Sequence, residues 1–180
     1  MTKSTPAPSA GSKIQSELKE AMRRFPQGVT VVTTHSNDGP KGMTVSSFTS
    51  VSLDPPLVLV SIAKESDVHD FLVSSDSFAV NFLTEDESSL SDLFASRIAS
   101  REKFGSTKHH SGVTGSPIID GARTVIECKT WHVNDGGDHS LILGEVVRAT
   151  ADTTRRPLVY HNQLYTRLES PSSASLPPGT

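Results

Sequence analysis

Residues 42–66 read "GMTVSSFTSVSLDPPLVLVSIAKES", and the spacing of their apolar side chains decides how the chain folds. Met43 and Val45 keep the two-residue period of a pleated strand, but the next apolar residues are Phe48, Val51 and Leu53. Side chains on a strand alternate faces, so two successive steps of three predict a break or a bulge in the pairing. Thr44, Ser46, Ser47, Thr49, Ser50 and Ser52 crowd the slip, placing hydroxyls beside backbone N–H groups released from a ladder. Asp54-Pro55-Pro56 punctuates the chain, and "LVLVSI" follows as a continuous apolar run, the pattern of a strand covered on both faces.

On the N-terminal side, "GVTVVTTH", "SNDGPK" and "GMTVSS" read as strand, turn and strand, a hairpin. Before it, Ser12 with Gln15 has the spacing of a capping box, and Ile14, Leu18, Ala21, Met22 and Phe25 form one apolar helical stripe ended by Pro26. On the C-terminal side, Ser66 is placed to cap a short helix carrying Val68, Phe71 and Leu72, and "SFAVNFLT" is again strand-like. Thr84 with Glu87 repeats the capping-box spacing ahead of a helix with Leu90, Leu93 and Phe94 on one face. Residues 105–121 are long, polar and glycine-punctuated, which predicts a functional or mobile loop. "ARTVIECKTWHV", the turn "NDGGD", "HSLILGEVVRAT" and a last hairpin in "PLVYHNQLYTRL" complete the chain. Strands joined mainly by hairpins, with short inserted helices, predict a mainly β fold, an antiparallel barrel. Residues 1–11 and 170–180, rich in Pro, Ser, Thr and Gly, are expected to be disordered tails around one domain spanning 12–169.

Composition narrows the function. A net charge of -3 and a pI near 6.1 supply no basic footprint, so a small nucleic-acid-binding barrel is disfavoured. Cys128 is the single cysteine and sits in the alternating run "TVIECKTW", which predicts a buried structural thiol. There is no apolar signal region and no run of the ~18 apolar residues that a membrane span needs, so a cytoplasmic protein with no membrane partner is expected. No G-x-G-x-x-G follows a strand, and P-loop, H-E-x-x-H and G-x-S-x-G patterns are missing. His109-His110 lacks a third ligand at useful spacing, so no metal is expected. "IAKES" offers another device: a strand ends at Ile62, Lys64 follows, and Ser66 opens a helix, together an anion site. A solvated lysine and a bulged barrel edge are the plain alternatives. Taken together, the two features suggest a phosphate at one end of a flat, polar-edged ligand.

"FPQGVTVVTT", the 42–66 stretch, "FAVNFL", "LSDLFAS", "KF", "GSPIIDG", "GGDHSLILGEV" and "PLVYHNQLYTRL" occur in that order. On these residues, over about 18–168, the chain resembles the flavin reductase-like family, FMN-binding split barrels that serve as reductase components of two-component flavin-dependent monooxygenases. The resemblance implies a homodimeric NAD(P)H:flavin oxidoreductase that moves hydride from NADH, or NADPH, to FMN or FAD and hands reduced flavin to an oxygenase component. It implies cofactor contacts from Gly42, Met43, Thr44, Val45, Ser46 and Ser47 along the isoalloxazine. Ser61, Ile62, Ala63, Lys64 and Ser66 would receive the ribityl chain and phosphate, and Phe94, Lys103 and Phe104 would close over the flavin or its nucleotide tail. His139 is the implied catalytic residue, positioning the nicotinamide, with Tyr165 near the same pocket. The chain departs from the family pattern at Ser46, where relatives often carry Asn, at Glu65, a charge beside the phosphate segment, and at His161, where Tyr is frequent. Alternation predicts that Glu65 points away. The rival on the same barrel is an electron carrier that keeps its FMN.

Overall fold

The computed structural model describes residues 10–169. In chain order they form α1 (Ala10–Arg23), β1 (Gln27–Gly28), β2 (Thr30–Ser36), β3 (Gly39–Val45), β4 (Phe48–Leu53), β5 (Pro56–Ala63), α2 (His69–Ser74) and β6 (Ser77–Phe82). There follow α3 (Ser88–Ala95), α4 (Ser100–Ser106), β7 (His109–Ser111), β8 (Pro117–Ile119), β9 (Thr124–Gly136), β10 (His139–Thr150), β11 (Val159–His161) and β12 (Leu164–Thr166).

The main sheet is antiparallel, in the order β3-β2-β6-β9-β10-β5-β4. Its two edges, β3 and β4, are consecutive in the chain and joined only by Ser46 and Ser47. Laid flat, seven strands at ~4.8 Å spacing would separate those edges by roughly 29 Å. Two linking residues reach about 10 Å at full extension. The sheet must therefore curl until its edges meet, which makes a barrel. No ladder joins β3 to β4, so the barrel stays split along that line.

Both slips in the apolar spacing are accounted for. The first, between Val45 and Phe48, is the break where the chain leaves β2 and joins β5. The second is a bulge in β4, a register shift between Ser50 and Ser52 that leaves Val51 extra. Val60, Ile62, Val32, Phe78, Val80, Cys128 and Ile142 fill the interior, and Val68 and Leu72 belong to the same buried cluster. Cys128 is fully buried, and its thiol is pushed up to about 12 by burial first and the Glu127 charge second, the inert thiol its sequence context predicts. β5 alternates between buried and half-buried residues, so only one of its faces is fully covered. A second core lies outside the barrel, where Val29, Val31, Leu83, Phe94, Phe104, Ile119 and Leu158 join the sheet to α3 and α4.

Three further expectations change. Helix α1 already runs at Ala10, so Ser12 lies inside it rather than at its cap, and only residues 1–9 of the first expected tail fall outside the described residues. Residues 105–121 are not one long loop: they finish α4 and form the β7–β8 hairpin. A buried polar network fixes that hairpin on the sheet. Thr33 Oγ1 donates to the Pro117 carbonyl (2.5 Å), and Asn81 donates to the Val31 carbonyl (3.1 Å) while its Oδ1 accepts from Ile119 N–H (2.9 Å). Satisfied polar groups of this kind hold one register, because leaving any of them unpaired would be costly. At the second capping box, Glu87 accepts from Thr84 N–H (2.7 Å), but the helix begins only at Ser88.

Gly144, opposite Val58 and Thr130, sits at a register shift in β10 where a side chain has no room. A Cβ there would lie 2.5 Å from Phe78 Cζ and 2.7 Å from Cys128 Cβ. Gly144→Ala should therefore lose ~1–3 kcal/mol of stability through overpacking. Urea unfolding checks this, and a loss below about 0.5 kcal/mol, the range of neutral surface changes, would mean the barrel yields at this point.

Candidate active site

The seam opens into a groove. One part, of ≈ 590 Å³, is lined by Met43 and Thr44 of β3, by Ala63, Glu65, Ser66 and Asp67 after β5, and by Phe94–Arg97 and Lys103. A second part, of ≈ 360 Å³, shares Thr44 and Ala95 and continues past Ser46 and Ser91 to Tyr160, Gln163 and Tyr165. Both volumes lie in the range of small-molecule sites. The first has apolar lining in Met43, Ala63, Phe94 and Ala95, and its charged residues are Glu65, Asp67, Arg97 and Lys103.

Four of the six crowded hydroxyls serve the fold. Thr44 Oγ1 donates to the Ser91 carbonyl (2.6 Å), tying β3 to α3 across the groove. Ser47 Oγ donates to the Ser61 carbonyl (2.7 Å) while Ser61 N–H donates to the Ser47 carbonyl (3.3 Å), locking the seam onto β5. Thr49 Oγ1 donates to the Ser50 carbonyl (3.2 Å), and Ser52 Oγ accepts from Asp54 N–H (3.2 Å). Ser46 lines the groove with no partner among the described residues. The 42–47 and 61–66 segments are brought together, with Ser66 Oγ against Met43 Sδ at 3.3 Å. Ser66 Oγ also accepts from Val68 N–H (3.2 Å) in a turn ahead of α2, which starts only at His69.

Other predicted site residues take supporting positions. Val45 and Ile62 point into the barrel core, so only their backbone can face the groove. Gly42 is buried because Phe94 and Phe104 lie where its side chain would be: a Cβ would sit 3.2 Å from each ring. The two rings meet edge to face with centroids 5.2 Å apart, so Phe104 braces Phe94, which reaches the groove. Tyr165 donates its hydroxyl proton to Asp92 Oδ1 (2.8 Å) and lies within hydrogen-bond distance of Ser91 Oγ (2.9 Å), fastening the C-terminal hairpin to α3. His161 is half-buried at the end of β11, opposite Leu164.

The cations divide differently from the sequence expectation. Lys64 stands outside the groove: its ammonium pairs with Asp135 and its N–H donates to the Asp138 carbonyl (2.9 Å). Asp135 is held below the usual carboxylate range, first by that Lys64 bond. Lys103 is 1% exposed, lines the groove and, among the described residues, donates to a single acceptor, the Phe94 carbonyl at 3.2 Å. Burial lowers its pKa, and the Asp67 charge partly opposes that. Glu65 is exposed and borders the groove, in the turn after β5 where alternation no longer applies. Arg97 also lines the groove. Sequence alone does not single it out, since an arginine between Ser96 and Ile98 in a loop joining two helices looks like ordinary surface. Its role becomes visible only once the α3–α4 corner faces the 63–67 turn.

His139 opens β10 opposite Ala63, a groove residue, but its imidazole is not part of the groove lining. Its Nδ1 pairs with Asp138 Oδ1 at 2.7 Å, and that bond is the first cause holding the Asp138 carboxyl below its ordinary range. Among the described residues no group of three or more His, Cys, Asp or Glu side chains is arranged to hold a metal, and His109 and His110 bond separately to the Thr107 carbonyl and to Asp120. No helix among them is long and apolar enough to cross a membrane.

Comparison with known proteins follows the same lines. The family described as "Flavin reductase like domain" matches residues 22–169. The chain is 39% identical over 163 residues to the NADH-dependent FMN reductase AsuE2 of Streptomyces nodosus subsp. asukaensis, covering 87% of this chain and 86% of that protein. It is 41% identical over 136 residues to the reductase component of the flavin-dependent trigonelline monooxygenase of Acinetobacter baylyi, 75% of this chain but only 43% of that longer protein. Among solved structures, the Streptomyces globisporus C-1027 NADH:FAD oxidoreductase SgcE6 in complex with NAD and FAD fragments superposes with a TM-score of 0.83 at 34% identity, covering 94% of this chain and 100% of that one.

Because Thr44 ties the two walls of the groove together, Thr44→Val should cost ~0.5–1.5 kcal/mol, the net value of one hydrogen bond. Flavin affinity should fall with it. Unfolding and flavin titration on this variant check the point; unchanged affinity at reduced stability would place the flavin away from this wall.

Proposed function

This chain belongs to the flavin reductase-like family, and we propose from that premise that it is an NADH-dependent flavin reductase of a two-component monooxygenase. FMN or FAD would enter the groove at the seam as a substrate. NADH, or NADPH, would supply the hydride, and the reduced flavin would leave for a separate oxygenase component. The observation that carries this reading is Lys103. A buried ammonium with one acceptor among the described residues, set in the groove between the 42–47 and 61–66 segments, has donors left for an anion. A flavin phosphate is such an anion, and the apolar wall of Met43, Ala63, Phe94 and Ala95 suits the face of an aromatic ring.

Hydride transfer takes place between the two bound substrates, leaving FMNH⁻ or FADH⁻ and NAD⁺, and the protein supplies no nucleophile. Its task is placement. Backbone groups of Ser46 and Ser47, at a point where no ladder uses both sides of the chain, are offered to the polar edge of the isoalloxazine. Ser66, Arg97 and Lys103 are offered to the phosphate. Lys64 joins them only if it first leaves Asp135, so Lys103 takes the larger share. The Asp138 carboxylate keeps the proton of neutral His139 on Nδ1, and Nε2 is then an acceptor with no protein partner among the described residues. That nitrogen suits the carboxamide N–H of a nicotinamide.

We also assign a second copy of the chain to the open stripe of α1, and the cytoplasm as its location. Ile14 (65% exposed), Leu18 (59%) and Met22 (45%) form an apolar face that one copy leaves uncovered, with Phe25 (60%) just past the helix end, which is unusual for a monomer and ordinary for a subunit interface. Leu18→Asp should shift the protein from dimer to monomer in light scattering; a monomeric parent protein would rule the assignment out.

Two variants test the function. Lys103→Met should weaken FMN binding by ~1.5–3 kcal/mol, the range for a hydrogen bond to a charged group, while riboflavin, which has no phosphate, binds as before. His139→Ala should keep flavin affinity within about threefold and lower kcat/KM for NADH by ~10–100-fold, the scale of a lost positioning contact. Normal NADH kinetics with a lowered melting temperature would instead make His139 a turn residue.

A further inference from the structure

The charges around the phosphate end of the groove are mixed. Arg97 and Lys103 are cationic, but Glu65 and Asp67 line the same groove and stand in the turn that follows β5. A site built only to retain a phosphate would not carry two carboxylates, because each repels the dianion that the cations attract. Neither carboxylate is used by the fold: among the described residues Glu65 and Asp67 make no hydrogen bond and no ion pair. Both are exposed at the groove mouth, whereas Lys103 lies buried at its floor. Asp67 acts on the Lys103 ammonium through space, the second influence on it after burial.

We propose that Glu65 and Asp67 are release determinants, carboxylates that offset Lys103 and Arg97 so that the flavin is held as an exchanging substrate rather than as a permanent group. The inference rests on the reading that this end of the groove takes the flavin phosphate, and it adds the residues that set how long the flavin stays. The four side chains sum to no net charge, so the attraction felt by an incoming phosphate is short-ranged and comes mainly from direct bonds to Lys103, Arg97 and Ser66. Neutral amides in place of the carboxylates would leave two cations uncompensated. Tighter binding of this kind appears chiefly as a slower off-rate. Riboflavin, without the phosphate, provides the internal control, and salt provides another, since exposed charges are largely screened when the Debye length falls to about 3 Å near 1 M.

The test compares Glu65→Gln, Asp67→Asn and the double variant with the parent protein, measuring affinity and dissociation rate for FMN and for riboflavin at low and high salt. Arg97→Gln, an exposed position, serves as the control for the phosphate reading, because Lys103 variants can disturb the core. Each single amide should bind FMN ~3–10-fold more tightly at low salt, with most of the change in the off-rate. The double variant should gain ~10–50-fold, riboflavin should stay within about twofold, and the gain should shrink near 1 M salt. If Arg97→Gln weakens FMN while the amides leave it unchanged, the phosphate reading stands and this inference is overturned. Equal gains for riboflavin would overturn it too, since the carboxylates would then act on the shape of the turn. If FMN and riboflavin respond alike to Arg97→Gln and to the amides, the phosphate lies elsewhere and both ideas fall.

Discussion

Two residues, Ser46 and Ser47, must join the opposite edges of a seven-stranded sheet, and the rest of the molecule follows from that short span. It forces the sheet to close, and it prevents β3 and β4 from pairing where they meet. Ser47 spends its side chain and carbonyl on Ser61, which fastens the seam to β5. Ser46 is left facing the groove. The opening is thus a by-product of closure. A barrel that finished its ladder here would have neither a groove nor backbone groups to offer in it.

What surrounds the seam then decides its chemistry. Phe104 braces Phe94 over the place where Gly42 has no side chain, which brings α3 and α4 close to β3. That packing buries Lys103 with one acceptor and sets Arg97 at the rim. Burial makes the lysine's charge expensive to maintain without a partner, so an anion in the groove relieves a cost that the folded protein already carries. Glu65 and Asp67 keep that relief partial. The arrangement suits a protein that passes its flavin on better than one that keeps it.

Much of this was legible in residues 42–66. The apolar spacing located both the break and the bulge, because alternation is a strict geometric rule and violations of it have few causes. The main sheet, the hairpins and the buried thiol were likewise readable from local patterns. Interactions between distant segments were not. Lys64 looked like the phosphate cation because it follows a strand, but its partner, Asp135, comes from a hairpin far along the chain. The β7–β8 hairpin was hidden because its anchors, Thr33 and Asn81, belong to other strands and its own residues are mostly polar. The places of Arg97 and Glu65 on the groove depended on how two corners of the chain face each other, which no local pattern encodes.

Whether flavin turns over separates a reductase from an electron carrier on the same barrel. The most direct measurement is anaerobic reduction of a large excess of free FMN by NADH at substoichiometric protein, followed by the visible absorbance of oxidised flavin. Many flavin molecules should be reduced per protein chain, with FMN and riboflavin both accepted, because release is built into the charge balance of the groove. Reduction that stops at one flavin per chain, with that flavin still bound after dilution, would contradict this and make the protein an electron carrier.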